Sequence, residues 1–190
     1  LSTLFATFPR SGHHLLAQML SCYFGRSMHY CESYKEPNLS QMSEVNAVKT
    51  HDFGLDQAIP EGWKVVVQIR DPLEAIPAWW DADTPARKEM TQNAFLRAKM
   101  EFYRGFVERW VTREDRKVLV LHYKQLTDEP VEALLRVLKH ISADGVVDAE
   151  RLAEASAIAR STRGVRPCWL WETLWSKHTP TITNPALAQP

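Results

Sequence analysis

The sequence predicts an α/β protein in three layers, with a mainly parallel sheet flanked by helices. Short apolar runs alternate along the chain with segments of helical spacing, and no internal repeat or linker divides it. Residues 65–67 are three consecutive valines, a pattern typical of a parallel strand covered on both faces. The 190 residues, 45% hydrophobic and 24% charged, predict one globular domain over residues 1–190.

The first elements follow from apolar spacing and from breakers. Residues 4–8 form an apolar run that ends at the Pro-Arg-Ser-Gly segment 9–12, and apolar residues then recur at helical spacing over 16–23. This order predicts a strand, a tight turn and a helix. Residues 27–43 are polar and without a period, which predicts a long loop. Residues 45–50 predict a second strand.

The later elements continue the alternation. Residues 63–69 predict the valine strand, and residues 117–121 predict another buried strand. Between these strands, apolar residues step by four, three, four and three, which predicts one long helix whose stripe lies wholly in the core. The stripe consists of Leu96, Met100, Tyr103, Val107 and Trp110. Residues 131–138 predict an amphipathic helix, Leu152 lies in a shorter Ala-rich one, and residues 179–190, with three prolines, predict an extended tail.

Charge and cysteine content limit the function. With 23 basic and 23 acidic residues, the chain is not a general binder of nucleic acid or anionic membranes, so any anion site must be focal. No apolar run approaches the roughly 20 residues that span a bilayer. Cys22, Cys31 and Cys168 are too few for a disulfide framework, although one pair could bridge, and they favour the cytoplasm. The chain begins without Met inside a predicted strand, so we expect that an upstream segment has been lost; a targeting signal there is left open.

The turn after the first strand predicts an anion site, because backbone N–H groups and the helix dipole converge there. Gly12 lets the backbone approach a phosphate, Arg10 adds a charged fork and Ser11 adds a hydroxyl donor. An ordinary turn with an exposed Arg is the alternative. His13 and His14 replace the Lys-Ser/Thr pair of the nucleotide-binding loop, which disfavours a kinase. These two histidines are rival acid/base candidates, and since adjacent residues at a helix start point apart, we expect no metal pair.

Two further elements end at the same predicted edge of the sheet, where ligands of open α/β sheets bind. Lys49 and His51 are two residues apart on an extended segment, so their side chains project to the same side. A solvated loop is the alternative for this pair. Arg70, followed by Asp71, ends the valine strand, where it either binds an anion or forms an ion pair.

Five short segments resemble, in the same order, the motifs of PAPS-dependent sulfotransferases; PAPS is 3′-phosphoadenylyl sulfate. Residues 7–14 look like the family's 5′-phosphosulfate loop, T-Y-P-K-S-G-T-T-W, and residues 49–51 match its K-T-H element. Residues 67–80 look like its 3′-phosphate strand and helix, and residues 122–130 are similar to its Y-E-D-L…D-P segment. Residues 163–169 keep the spacing of its R-K-G-x-x-G-D-W motif.

The resemblance implies a P-loop NTPase-like sulfotransferase fold and transfer of a sulfuryl group from PAPS, with adenosine 3′,5′-bisphosphate (PAP) as the product and no required metal. His51 would be the general base, while Arg10 and Lys49 would stabilise charge at the sulfuryl group. The acceptor would be a hydroxyl or amine of a small molecule or a glycan. A homodimer is left open.

The same resemblance implies the residues that bind the donor. Arg70 and Arg163 would clamp the 3′-phosphate with a geometry that Lys cannot copy. Tyr123 would contact the adenine edge. The remaining candidates lie in the first and last motifs and are Arg10, Ser11, Gly12, His13, His14 and Gly164.

Departures from the family's motifs leave alternatives open. His13 and His14 stand where the family has paired Thr residues, and Leu15 stands where many members have a Trp that stacks on adenine. Ala78 replaces a Ser, and residues 167–168 replace Gly-Asp. These changes allow a catalytically inactive nucleotide-binding module. A P-loop small-molecule kinase is the other alternative, because Asp71 could imitate a magnesium-binding carboxylate. Five tryptophans near the motifs either wall an acceptor pocket or pack in the core: Trp79, Trp80, Trp169, Trp171 and Trp175.

Overall fold

Strands and helices alternate over the residues that the computed structural model describes, which are 2–25, 28–32, 45–112, 118–142 and 145–161. The strands are β1 Ser2–Thr7, β2 Met28–Glu32, β3 Val45–Thr50, β4 Lys64–Ile69 and β5 Val118–His122. The helices are α1 His13–Phe24, α2 Pro72–Ala82, α3 Thr84–Glu89, α4 Gln92–Trp110, α5 Tyr123–Asp128, α6 Pro130–Ile141 and α7 Ala149–Ser161. The predicted 179–190 tail lies outside these residues.

The five strands form a parallel sheet in the order β2-β3-β1-β4-β5. β1 is the central strand, and its register places Phe5 opposite Lys49 of β3 and Thr7 opposite Gln68 of β4. The carboxyl ends of β1, β3 and β4 therefore lie side by side. Since these three strands end at the predicted anion-binding segments, the topology brings those segments to one edge of the sheet.

Two hydrophobic cores cover the two faces of the sheet and give the three layers. On one face, Phe5 and Val66 pack with α1, α6 and α7. On the other face, Leu4 and Val67 pack with α2 and α4. Val65 and Val67 share one face while Val66 takes the other, which explains why the valine run is uninterrupted: every side chain of this strand segment is buried. The predicted parallel α/β architecture is confirmed.

Two predictions about the elements are wrong. Residues 28–32, predicted within a long loop, form β2, an edge strand that pairs only with β3 and has a single fully buried side chain among those described, Tyr30. Its pattern is too short and too polar to stand out. The stripe of α4 is not wholly in the core, since Leu96, Met100, Tyr103 and Val107 are only half-buried. The fully buried residues of α4 are Phe95, Phe106 and Trp110.

The structure also bears on the cysteines and on membrane-spanning helices. Cys22 and Cys31 are free thiols, and burial raises the pKa of each above its ordinary value; nearby Glu154 adds to the rise at Cys22. Cys168 lies outside the described residues. Within the described ranges, no helix is both long and apolar enough to cross a membrane.

Candidate active site

The turn between β1 and α1 is held to the sheet by backbone hydrogen bonds. Phe8 N–H donates to the carbonyl of Gln68 at 2.9 Å, and Ser11 N–H donates to the carbonyl of Phe8 at 3.2 Å. Arg10 and Gly12 both take left-handed φ angles, 66° and 84°. The turn thus presents the start of α1 at the carboxyl edge of the sheet, where the first amides of a helix attract anions.

Two features of position 12 require a glycine: its positive φ angle and a side chain that packs close to its Cα. A Cβ at this position would lie 2.6 Å from Cδ2 of the Tyr123 ring. Real Cβ atoms do not approach carbon so closely, so the absence of a side chain lets Tyr123, the first residue of α5, pack over the turn. The sequence predicted Gly12 and Tyr123 as ligand-binding residues, and the structure places them in contact.

Arg70 joins the same group at the end of β4. Its guanidinium lies 4.5 Å from the centre of the Tyr123 ring, a cation–π distance, and its Nη1 lies 3.5 Å from the carbonyl oxygen of Arg10. Its Nε donates to Glu74 at 3.0 Å, an ion pair of the kind that the sequence offered as the alternative to anion binding, although Glu74 was not named as the partner. Both the guanidinium and the exposed Arg10 side chain remain accessible to solvent, so two cations flank the turn.

Lys49 and His51 lie together at the end of β3, as their spacing predicted. Nζ of Lys49 donates to Nε2 of His51 at 2.8 Å, and both side chains are buried. On the other side of the imidazole, Nδ1 lies 2.6 Å from the carbonyl oxygen of Thr7. A carbonyl only accepts, so Nδ1 carries the proton and Nε2 presents its lone pair to the ammonium. In this arrangement His51 is a neutral imidazole whose Nε2 accepts from Lys49.

Asp52 fixes the loop that carries His51. Its Oδ1 accepts from the backbone N–H groups of residues 56 and 57, at 3.0 and 2.8 Å. Its Oδ2 accepts from Nε of Arg109 at 2.8 Å and from Nε1 of Trp110 at 2.9 Å. The first two bonds hold the loop after β3 in shape, and the other two tie it to the end of α4. Sequence reasoning missed Asp52 and Arg109 because the partners lie 57 residues apart.

The two histidines at the start of α1 are close to each other. Their ring centres lie 3.9 Å apart, so the prediction that His13 and His14 point in different directions is wrong; the first turn of the helix is open enough for both rings to fold to one side. The ring of His13 also meets that of His51 edge-on at 5.4 Å. Among the described residues, no group of three or more His, Cys, Asp or Glu side chains is arranged to hold a metal ion.

Two buried polar atoms at this edge have no hydrogen-bond partner in the part of the chain that the structure describes: Ser11 Oγ and Gln68 Nε2. Both side chains are at most 1% exposed. Buried donors of this kind are rare in native proteins and call for a ligand or a water. Together with Lys49, they fit an anionic group such as a phosphosulfate. Gln68 was not predicted, although a polar residue after three valines was a visible signal.

An aromatic cluster adjoins His51. Phe53 is 52% exposed, and its ring lies 5.3 Å from that of His51, 5.8 Å from Trp79 and 5.7 Å from Phe102. Trp80 packs on Phe95 of α4 at 5.2 Å, and Trp79 contacts the same ring at 5.7 Å. Of the two tryptophans of α2 that were considered for an acceptor pocket, Trp79 therefore lies against Phe53, the neighbour of His51.

Other predicted positions are structural or lie outside the described residues. The side chain of Asp71 caps α2 by accepting from Leu73 N–H at 2.9 Å. Burial raises the pKa of Tyr103, and Asp71 adds to that rise. Ala78 is half-buried on α2. Arg163 and Gly164, and with them Trp169, Trp171 and Trp175, lie outside the described residues.

Comparisons with known proteins support the fold. No protein-family model and no curated protein sequence matches the chain. Among solved structures, the chain matches mouse sulfotransferase SULT7A1 complexed with PAP, with a TM-score of 0.65 and 20% sequence identity. The match covers 85% of this chain and 64% of the mouse protein, so the chain spans less than two thirds of that protein's length. The fold is a sulfotransferase-like α/β fold, as the sequence predicted.

Proposed function

We propose that this chain is a sulfotransferase that moves a sulfuryl group from PAPS to a hydroxyl or amine of a small molecule or glycan. The observation that carries the proposal is the Lys49–His51 pair, a cation hydrogen-bonded to a neutral imidazole. The pair lies beside an anion-binding turn at the carboxyl edge of a sulfotransferase-like sheet. A base and a cation next to an anion site are what sulfuryl transfer requires, because positioning and charge stabilisation dominate such reactions.

We assign the role of general base to His51. Nε2 of His51 takes the proton of the acceptor hydroxyl or amine while the acceptor atom forms a bond to sulfur. The bond between sulfur and the bridging oxygen breaks, and PAP leaves with the electron pair. The Nδ1–H bond to the carbonyl of Thr7 holds the ring in the required tautomer and stabilises the imidazolium that forms. Lys49 shifts its hydrogen bond from Nε2 to the transferring group, and Arg10 adds positive charge at the turn.

The remaining site residues account for donor binding. Backbone amides of the turn, with the hydroxyl of Ser11 and the rings of His13 and His14, would hold the 5′-phosphosulfate. Arg70 would bind the 3′-phosphate, because its partly exposed guanidinium is held over Tyr123. We also assign Arg163 and Gly164 to the 3′-phosphate, as the sequence resemblance implies. The mouse protein is complexed with PAP, which supports PAPS as the donor.

Two alternatives are less well supported. A kinase would need a free carboxylate for magnesium, whereas the side chain of Asp71 is used as the cap of α2. An inactive binding module would have no use for the buried Lys49–His51 pair. The free thiols of Cys22 and Cys31 fit a reducing compartment, so we place the protein in the cytoplasm.

The test is sulfuryl transfer from labelled PAPS to a panel of hydroxyl and amine acceptors. We expect His51→Ala to lower kcat about 10²- to 10⁴-fold, the usual loss for a general base, and to leave PAP affinity within a few fold. His140→Gln is the matched control, because His140 bonds the carbonyl of Val65 from α6 and takes no part in the site. Full activity in His51→Ala, or no PAPS consumption by the wild type with any acceptor, would contradict the proposal.

A further inference from the structure

Gln68 places an amide inside the most apolar strand of the sheet. It follows the three valines of β4, is 1% exposed, and its Nε2 meets no hydrogen-bond acceptor in the described part of the chain. The backbone carbonyl of Gln68 accepts from the N–H of Phe8, so the residue lies directly beneath the anion-binding turn. A buried amide hydrogen without an acceptor destabilises a fold, and an apolar side chain of the same shape would not. The position therefore keeps a donor that the described part of the chain does not use.

The side chain lines a small cavity between α1 and the sheet that Lys49, the partner of His51, also lines. The cavity measures about 10 Å³, and its other lining residues are His13, Tyr30 of β2 and apolar residues of β1 and α1. This volume is close to that of one water molecule, which is also the size of one sulfuryl oxygen. Lys49 brings a cation and Gln68 brings an unused N–H to the same space, so the occupant that fits is an oxygen carrying negative charge.

We propose that Gln68 donates a hydrogen bond from Nε2 to a non-bridging oxygen of the sulfuryl group while it is transferred. This assignment rests on the proposed function and adds to it a residue that was not predicted as part of the site. The neighbours of Gln68 indicate which end of PAPS it contacts. Gln68 lines the cavity with Lys49, the partner of the base, whereas the guanidinium of Arg70 lies over the Tyr123 ring, beside Gly12. Gln68 thus contacts the sulfuryl group that is transferred, and Arg70 binds the nucleotide that remains.

The test uses Gln68→Met, which keeps length and removes both polar atoms, beside Gln18→Met, a matched change on half-buried Gln18 of α1. Without ligand, we expect Gln68→Met to raise Tm by about 2–6 °C, because an unused buried donor has been removed. We expect kcat/KM for PAPS to fall about 10- to 100-fold, since a hydrogen bond to a charged group is lost, while PAP affinity changes less than twofold. Gln18→Met should show neither effect.

The outcomes separate this inference from the proposed function. A lower Tm in Gln68→Met, unchanged kcat/KM, or an equal loss of PAP affinity would each overturn the role of Gln68. If the wild type consumes no PAPS, the proposed function is wrong, and Gln68 is then tested by thermal unfolding in sodium sulfate against sodium chloride of equal ionic strength. A larger sulfate-induced rise in Tm for the wild type than for Gln68→Met would support an oxyanion contact, and an equal rise would overturn it.

Discussion

The contact between Gly12 and Tyr123 allows a prediction whose magnitude follows from the structure. Gly12→Ala adds one methyl group in a left-handed conformation, at φ 84°, and places it 2.6 Å from the Tyr123 ring, where 3.4 Å or more is an ordinary contact. The backbone term costs about 1–2 kcal/mol for a non-Gly residue. Displacing the ring adds about 1–3 kcal/mol, the usual effect of overpacking. We therefore expect Gly12→Ala to lower the free energy of unfolding by about 2–5 kcal/mol.

A second glycine separates the two terms. Gly62 has a φ of 77°, and a Cβ there would meet no atom within 4 Å. Gly62→Ala should therefore cost only the backbone term, about 1–2 kcal/mol. Urea unfolding followed by tryptophan fluorescence gives both values. In a Tyr123→Ala background, the cost of Gly12→Ala should fall to that of Gly62→Ala. Equal costs for the two glycines in the wild-type background would refute the packing of Tyr123 over the turn.

Two further predictions concern the supports of the site. Arg109→Met removes the cation from buried Asp52, and we expect the free energy of unfolding to fall by about 2–4 kcal/mol, measured by urea unfolding; an unchanged value would show that the pair does not form. Burial lowers the pKa of His140, and the charge of Lys64 lowers it further, while the bond to the carbonyl of Val65 opposes the shift. The unfolded chain then binds this proton more readily, so stability is complete above about pH 6.5 and decreases as the pH falls. His140→Gln should flatten this decrease in urea unfolding between about pH 6.5 and 5, and an unaltered slope would contradict the assignment.

The elements that local patterns determine were predicted from the sequence. The turn at Gly12 follows from a strand, breakers and a helix in succession, and the valine strand follows from burial on both faces. The Lys49–His51 contact follows from the two-residue period of extended chain. These features depend on neighbours within a few residues, which is why a sequence alone can indicate them.

The remaining features depend on contacts between distant elements. β2 exists because β3 offers it an edge, and its own five residues carry little pattern. Asp52 is fixed by Arg109, which comes from α4, and no local spacing connects the two. The role of Gln68 follows from the lack of a hydrogen-bond partner for its Nε2 among the described residues, and only the packed structure reveals that lack.

The central claim is that this site binds the nucleotide of a sulfuryl donor, and calorimetric titration tests it most directly. The wild type would be titrated with PAP and, separately, with ATP and Mg²⁺; Arg70→Ala and the control Arg151→Ala, an exposed residue of α7, would follow. We expect PAP to bind without metal, more tightly than ATP with Mg²⁺, and to lose about 10- to 100-fold in affinity in Arg70→Ala alone, since that variant removes a charged hydrogen-bond donor. Preference for ATP with Mg²⁺, or PAP binding that Arg70→Ala leaves unchanged, would contradict the account.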